Sequence, residues 1–109
     1  MSNTVLETGR IYPIKNTEEE FRRICEERGF LKDSLYSSWM ECLLDEFHKE
    51  YIDVKGLGVC ELKNHKTGDA GYHSEVQKEE DGSYSFTCIY YDGGACLGEV
   101  IGDSIQKLS

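Results

Sequence analysis

Asp33-Ser-Leu-Tyr-Ser-Ser-Trp-Met-Glu-Cys-Leu-Leu-Asp-Glu-Phe-His-Lys-Glu-Tyr51 carries its apolar residues at helical spacing. Wound as one long helix capped by Asp33 or Ser34, it puts Leu35, Tyr36, Trp39, Met40, Leu43, Leu44 and Phe47 on an arc of roughly 200°. An arc that wide asks for a broad partner, and the only broad partner on offer is the run of strands that follows. Glu41, Asp45 and His48 fall on the opposite, solvated face.

Upstream, Met1 to Thr8 is polar and is expected to be frayed. Arg10 to Lys15 reads as a short strand, held to an edge or left irregular by Pro13, which has no N–H to give. Thr17-Glu-Glu-Glu20 is a capping box with acids where the helix dipole favours them. The helix it starts has a thin apolar stripe of Phe21, Ile24 and Cys25. Its outer face expects i,i+4 pairs of Glu18 with Arg22 and Glu19 with Arg23.

Downstream, the period changes to two. Leu57 to Lys63 and Tyr72 to Gln77 read as strands joined by a loop over Asn64 to Gly71. Asp81-Gly82 signals a hairpin of type I′, whose two central residues both need positive φ. Ser83 to Tyr91 follows as a strand with Tyr84, Phe86, Cys88 and Tyr90 on its core face and Thr87, Ile89 and Tyr91 on the other. After a turn at Asp92-Gly-Gly94, Ala95 to Ile101 is read as a strand. Leu97, Val100, Ile101, Ile105 and Leu108 have helical spacing, but Gly98 and Gly102 speak against a helix there. The fold class expected is α+β, in one domain over 1–109: two N-terminal helices packed on one face of a mostly antiparallel sheet of about four strands.

A chain of 109 residues buries enough surface to fold without a metal or disulfide. Its five cysteines (Cys25, Cys42, Cys60, Cys88 and Cys96) form no C-x-x-C pair and read as reduced, packed thiols. No apolar run is long enough to span a membrane and the start does not resemble a signal peptide, so a cytoplasmic home is expected, the host cytoplasm if the protein is viral. Twenty-one acids against 12 Lys and Arg give a net charge of −9, which argues against direct binding to nucleic acid and allows attraction to a basic partner.

The constellations that carry chemistry are thin. His65, Asp69 and His73, or Cys42, Glu46 and His48, are the available metal sets, but neither has the tight spacing of a zinc site. Cys96 is the most accessible thiol, in a field of acids that disfavours thiolate. The acids lack the desolvated pair of a hydrolase. Hence no cofactor, metal or catalytic residue is expected.

What remains is a surface. Glu79, Glu80, Asp81, Tyr91, Asp92 and Glu99 are the candidate partner contacts, with Glu41 and Asp45 as a second patch. Tyr91 beside Asp92 supplies the amphipathic anchor that interfaces favour. The expectation is a non-enzymatic binding protein, a stoichiometric inhibitor of a basic nucleic-acid-handling protein such as a nuclease. It is of the viral anti-defence or anti-CRISPR kind, with carboxylates standing in for phosphates. The alternatives are a small-ligand binder or enzyme with a pocket between the long helix and the sheet near His65, Tyr72 and His73; a toxin-immunity protein; and a self-assembling subunit.

Overall fold

The computed structural model describes residues 4–30, 36–68, 75–91 and 97–108, with the side chains of 4, 5 and 88–91 outside that description. Within them the chain runs β1 (Thr4–Pro13), α1 (Glu18–Glu27), α2 (Trp39–Glu46), β2 (Tyr51–Val54), β3 (Gly58–Gly68), β4 (Glu75–Lys78), β5 (Tyr84–Tyr91) and α3 (Leu97–Gln106). The strands form one antiparallel sheet in the order β2-β3-β1-β5-β4. The class is α+β, with five strands and a third helix among the described residues.

The pleat divides the side chains between two cores. Along β2 and β3, Ile52, Val54, Cys60 and Leu62 go to one face, Tyr51 and Val59 to the other. On the first face Ile11, Val76, Tyr84 and Phe86 join them beneath α3, which adds Leu97, Val100, Ile101 and Ile105. On the second face Tyr51 and Val59 meet Phe21, Ile24 and Cys25 of α1 and Cys42 and Leu43 of α2. The expected stripe of α1 is therefore its buried face. Tyr36, Trp39, Met40, Leu44 and Phe47, from the wide arc read in the sequence, pack around the same cluster.

The long helix is shorter than its pattern. Ser38 caps it, accepting from the Glu41 N–H at 3.1 Å in an extended conformation that no helix interior allows. Asp33 and Ser34 lie outside the described residues. The helix ends at Glu46, turns form over 47–50, and Tyr51 opens β2 opposite Glu61. Pairing with β3 and burial of the Tyr51 ring outweigh the helical period that Tyr51 continues. The partner of α2 is mainly α1 and the β2 edge, not the breadth of the sheet.

Other expectations are corrected. The loop read over Asn64 to Gly71 is strand as far as Gly68, because β3 continues alongside Leu6 to Thr8 of β1. Thr4 to Thr8 is not frayed: all of it pairs with β5, and Leu6 to Thr8 also pairs with β3, so backbone ladders hold the segment. The strand read at Arg10 to Lys15 is thus the centre of the sheet, with Pro13 as its last residue, where a missing N–H costs little.

Ala95 to Ile101 is not a strand. Leu97 begins α3, and Gly98 and Gly102 are its contact face rather than its breakers. A Cβ at Gly98 would lie 2.0 Å from the Asp53 carbonyl oxygen, and one at Gly102 would lie 2.3 Å from that of Lys55. Only glycine lets the helix backbone approach β2 so closely, and the Lys55 N–H donates to the Gly98 carbonyl at 3.2 Å.

The hairpin signal is right and its type is not. Glu79 N–H donates to Ser83 at 2.8 Å and Gly82 N–H to Glu79 at 3.1 Å. Gly82 alone takes positive φ, 88°. That is a three-residue loop closing on a left-handed glycine, which needs no positive φ at Asp81.

Candidate functional site

The candidate contacts fall into separate places. Glu79, Glu80 and Asp81 occupy the β4–β5 hairpin at one edge of the sheet, while Glu41 and Asp45 lie on α2, beside β2 at the other edge. Glu99 sits exposed in the first turn of α3, next to the Gly98 contact with β2. It is therefore brought nearer the β2 end than the hairpin with which it was grouped. Tyr91 ends β5 opposite Thr4, with its side chain outside the described residues, as is Asp92.

Within the hairpin two of the three acids have structural work. Asp81 Oδ1 accepts from Ser83 N–H at 3.0 Å and from Ser83 Oγ at 2.5 Å. The Ser83 hydroxyl, then its N–H, holds the Asp81 carboxyl below the usual range. Glu79 Oε1 accepts from Ser85 Oγ at 2.8 Å and lies 3.7 Å from an Arg10 guanidinium nitrogen. Glu80 is exposed, with no such tie among the described residues.

On α2 the arrangement is different. The Tyr36 hydroxyl lies 2.6 Å from Asp45 Oδ2 and 2.5 Å from Glu46 Oε1, so two carboxylates compete for one phenolic proton. Hydrogen bonding to Asp45, then to Glu46, keeps the phenol protonated far above its ordinary range. One turn earlier Glu41 accepts from Ser37 Oγ at 2.5 Å, and Glu18 of α1 accepts from the Trp39 N–H at 2.8 Å. Among the described residues no cation pairs with Glu41, Asp45 or Glu46. Arg28 lies over the Phe47 ring at 5.1 Å but pairs with Glu50. Elsewhere the acids of α1 are matched locally: Arg22 with Glu26, Arg23 with Glu20 and Glu27. These pairs replace the Glu18–Arg22 and Glu19–Arg23 spacing expected from the sequence.

Tyr36 and Glu46 were missed as site residues. Tyr36 precedes the helix cap, so no helical spacing joins it to Asp45 and Glu46; a tyrosine within reach of an Asp-Glu pair was the only hint.

The metal and thiol constellations do not assemble among the described residues. Asp69 and His73 lie outside them, as does Tyr72 of the alternative pocket. His65 Nε2 is 2.6 Å from Glu7 Oε1, a carboxylate 7% exposed that Thr67 Oγ also reaches at 3.3 Å. Cys42 is buried between the helices while Glu46 and His48 are exposed, and among the described residues no group of three metal-ligating side chains occurs. Burial pushes the Cys25 and Cys60 thiols up to about 12, Cys42 adding to the shift at Cys25. Those two are packing groups. Cys96 and the Cys88 side chain lie outside the described residues.

No helix among the described residues is long and apolar enough to cross a membrane. Comparison with known proteins finds no matching family model, curated protein or solved structure.

Proposed function

We propose that this protein acts by binding rather than by catalysis, as an acidic stoichiometric inhibitor that occupies a basic surface of a nucleic-acid-handling protein. The observation that carries this reading is the cluster at the end of α2. Asp45 and Glu46 stand in its last turn, where the helix dipole disfavours negative charge, and the turn contains no basic residue. Glu41 and Asp45 add a like-charge pair at i,i+4. Such an arrangement costs the free protein stability, and Lys or Arg side chains of a partner would relieve it. Carboxylates held in fixed geometry by Tyr36 and Ser37 present charge the way a phosphate backbone does, which is the pattern a basic groove accepts.

The test is affinity capture from the native host, followed by a salt series on the partner recovered. The expected partner is basic, binds in a fixed ratio, and loses affinity steeply as ionic strength rises. Asp45→Lys and Glu80→Lys together should slow association by about tenfold or more at low salt. A partner held with no salt dependence, or equally by the charge-reversed variant, overturns the reading.

A further inference from the structure

β4 is the open edge of the sheet. Its inner side pairs with β5, from Glu75 opposite Thr87 to Lys78 opposite Tyr84, and among the described residues no strand pairs with its outer side. Backbone amides and carbonyls left bare along an edge are a template for another strand.

The pleat gives this edge two unlike faces. Val76 and Lys78 point to the α3 side, where Tyr84, Ile105 and Leu108 complete a groove of about 620 Å³ that Glu75 and Gln77 also border. Leu108 is 53% exposed, the one large apolar side chain so exposed among the described residues, and it stands beside the open edge. Glu75 and Gln77 point to the other face. Glu79 is on that face too, since it bonds Ser85, the partner of Gln77. Exposed Glu80 follows at the end of the strand.

We infer that the β4 edge takes an extended segment of a partner protein in which apolar residues alternate with Lys or Arg. The segment adds a strand to the sheet, its apolar side chains entering the Leu108 groove and its basic ones facing Glu75 and Glu79, the latter beside Arg10, with exposed Glu80 just past the strand's end. Main-chain pairing supplies affinity and the two faces supply specificity. Charge selects this occupant: a second copy would bring its own Glu75, Glu79 and Glu80 against these, in a chain of net charge −9. The inference rests on the acidic-binding reading and gives the partner a form.

The probe is an acetylated, amidated peptide alternating Lys and Val, followed by amide-resolved NMR. Expected are shifts confined to 75–80 and 105–108 and slowed amide exchange in β4. Affinity should fall about tenfold or more in Leu108→Asp, an exposed position that leaves the core intact, and equally with a peptide N-methylated at alternate residues. Absence of binding, equal binding of a Glu-Val peptide or of the N-methylated one, or self-pairing of the chain through β4 overturns the inference. If Leu108→Asp spares capture of the basic partner while Asp45→Lys alone abolishes it, the β4 site fails and the proposed function stands. If the peptide binds β4 but the reversals spare capture, the general reading fails.

Discussion

At the β2 edge the chain covers its own backbone; at the β4 edge, among the described residues, it does not. Beside β2, α3 turns a side-chain-free face inward, so that Gly98 and Gly102 sit against the Asp53 and Lys55 carbonyls and Lys55 N–H finds the Gly98 carbonyl. The neighbouring strand is sealed as well. β1 ends at Pro13 opposite Cys60, and just beyond it Asn16 acts as a surrogate strand. Its Oδ1 accepts from Val59 N–H at 2.7 Å and its Nδ2 donates to the Val59 carbonyl at 3.2 Å. The hairpin at the β4 end is held by Asp81 on Ser83, by Glu79 on Ser85 and, from β1, by Arg10 on Glu79. A fold that closes one edge with such care has the means to close the other. Where, among the described residues, an edge is left unpaired with acids beside it, an external strand is the natural complement.

The sharpest way to break this contrast is to put a methyl group into the sealed edge. Gly98→Ala should destabilise the protein by about 3 kcal/mol, because the new Cβ overlaps a backbone oxygen that cannot rotate away. The sign is the point. If α3 merely lay near β2, alanine in a helix would stabilise by up to about 1 kcal/mol. Urea unfolding of the variant decides between these, and a gain in stability would remove the close contact from the account.

A smaller loss tests the second seal. Asn16→Ala should cost about 1–2 kcal/mol, since it strips both Val59 groups of their partner and only water can replace it. The effect should appear as faster amide exchange at Val59 and its neighbours in β2 and β3, with β4 and β5 unaffected. Faster exchange spread evenly over the sheet would mean that the two edges are not independent.

Much of this architecture was legible in the sequence, and what was not has a common cause. The α1 cap at Thr17, its buried stripe, the apolar set around α2 and the face of β5 carrying Tyr84 and Phe86 all follow from local spacing. The misreadings concern residues whose role is set by a distant backbone. Gly98 and Gly102 break helices by propensity and make this one possible by proximity. Thr4 to Thr8 shows no alternating apolar pattern and is ordered by pairing with β5 throughout and with β3 from Leu6 on. Tyr51 continues a helical period and is claimed by β3. The candidate site divides the same way: its acids were visible as composition, but the Tyr36 bridge between Asp45 and Glu46 depends on a turn that no periodicity announces.

The finest distinction between the edges is their response to acid. The folded carboxyl of Asp81 titrates below its ordinary value of 3.8, so its contribution to the hairpin is fully present above that value and is lost as pH falls through the lower, folded one. The Gly98 contact with Asp53 at the β2 edge and the Asn16 clamp on Val59 of β3 join uncharged groups and carry no such dependence. Asp81→Asn should therefore weaken the β4–β5 hairpin at neutral pH and cease to matter below the folded Asp81 value, where wild type and variant converge. Amide exchange at Gln77 and Ser85, followed from neutral pH down through the folded Asp81 value and referenced to Val59, measures the gap directly. A gap that stays constant with pH would mean that the Asp81 charge does not hold the turn, and that the open edge is as insensitive to protonation as the closed one.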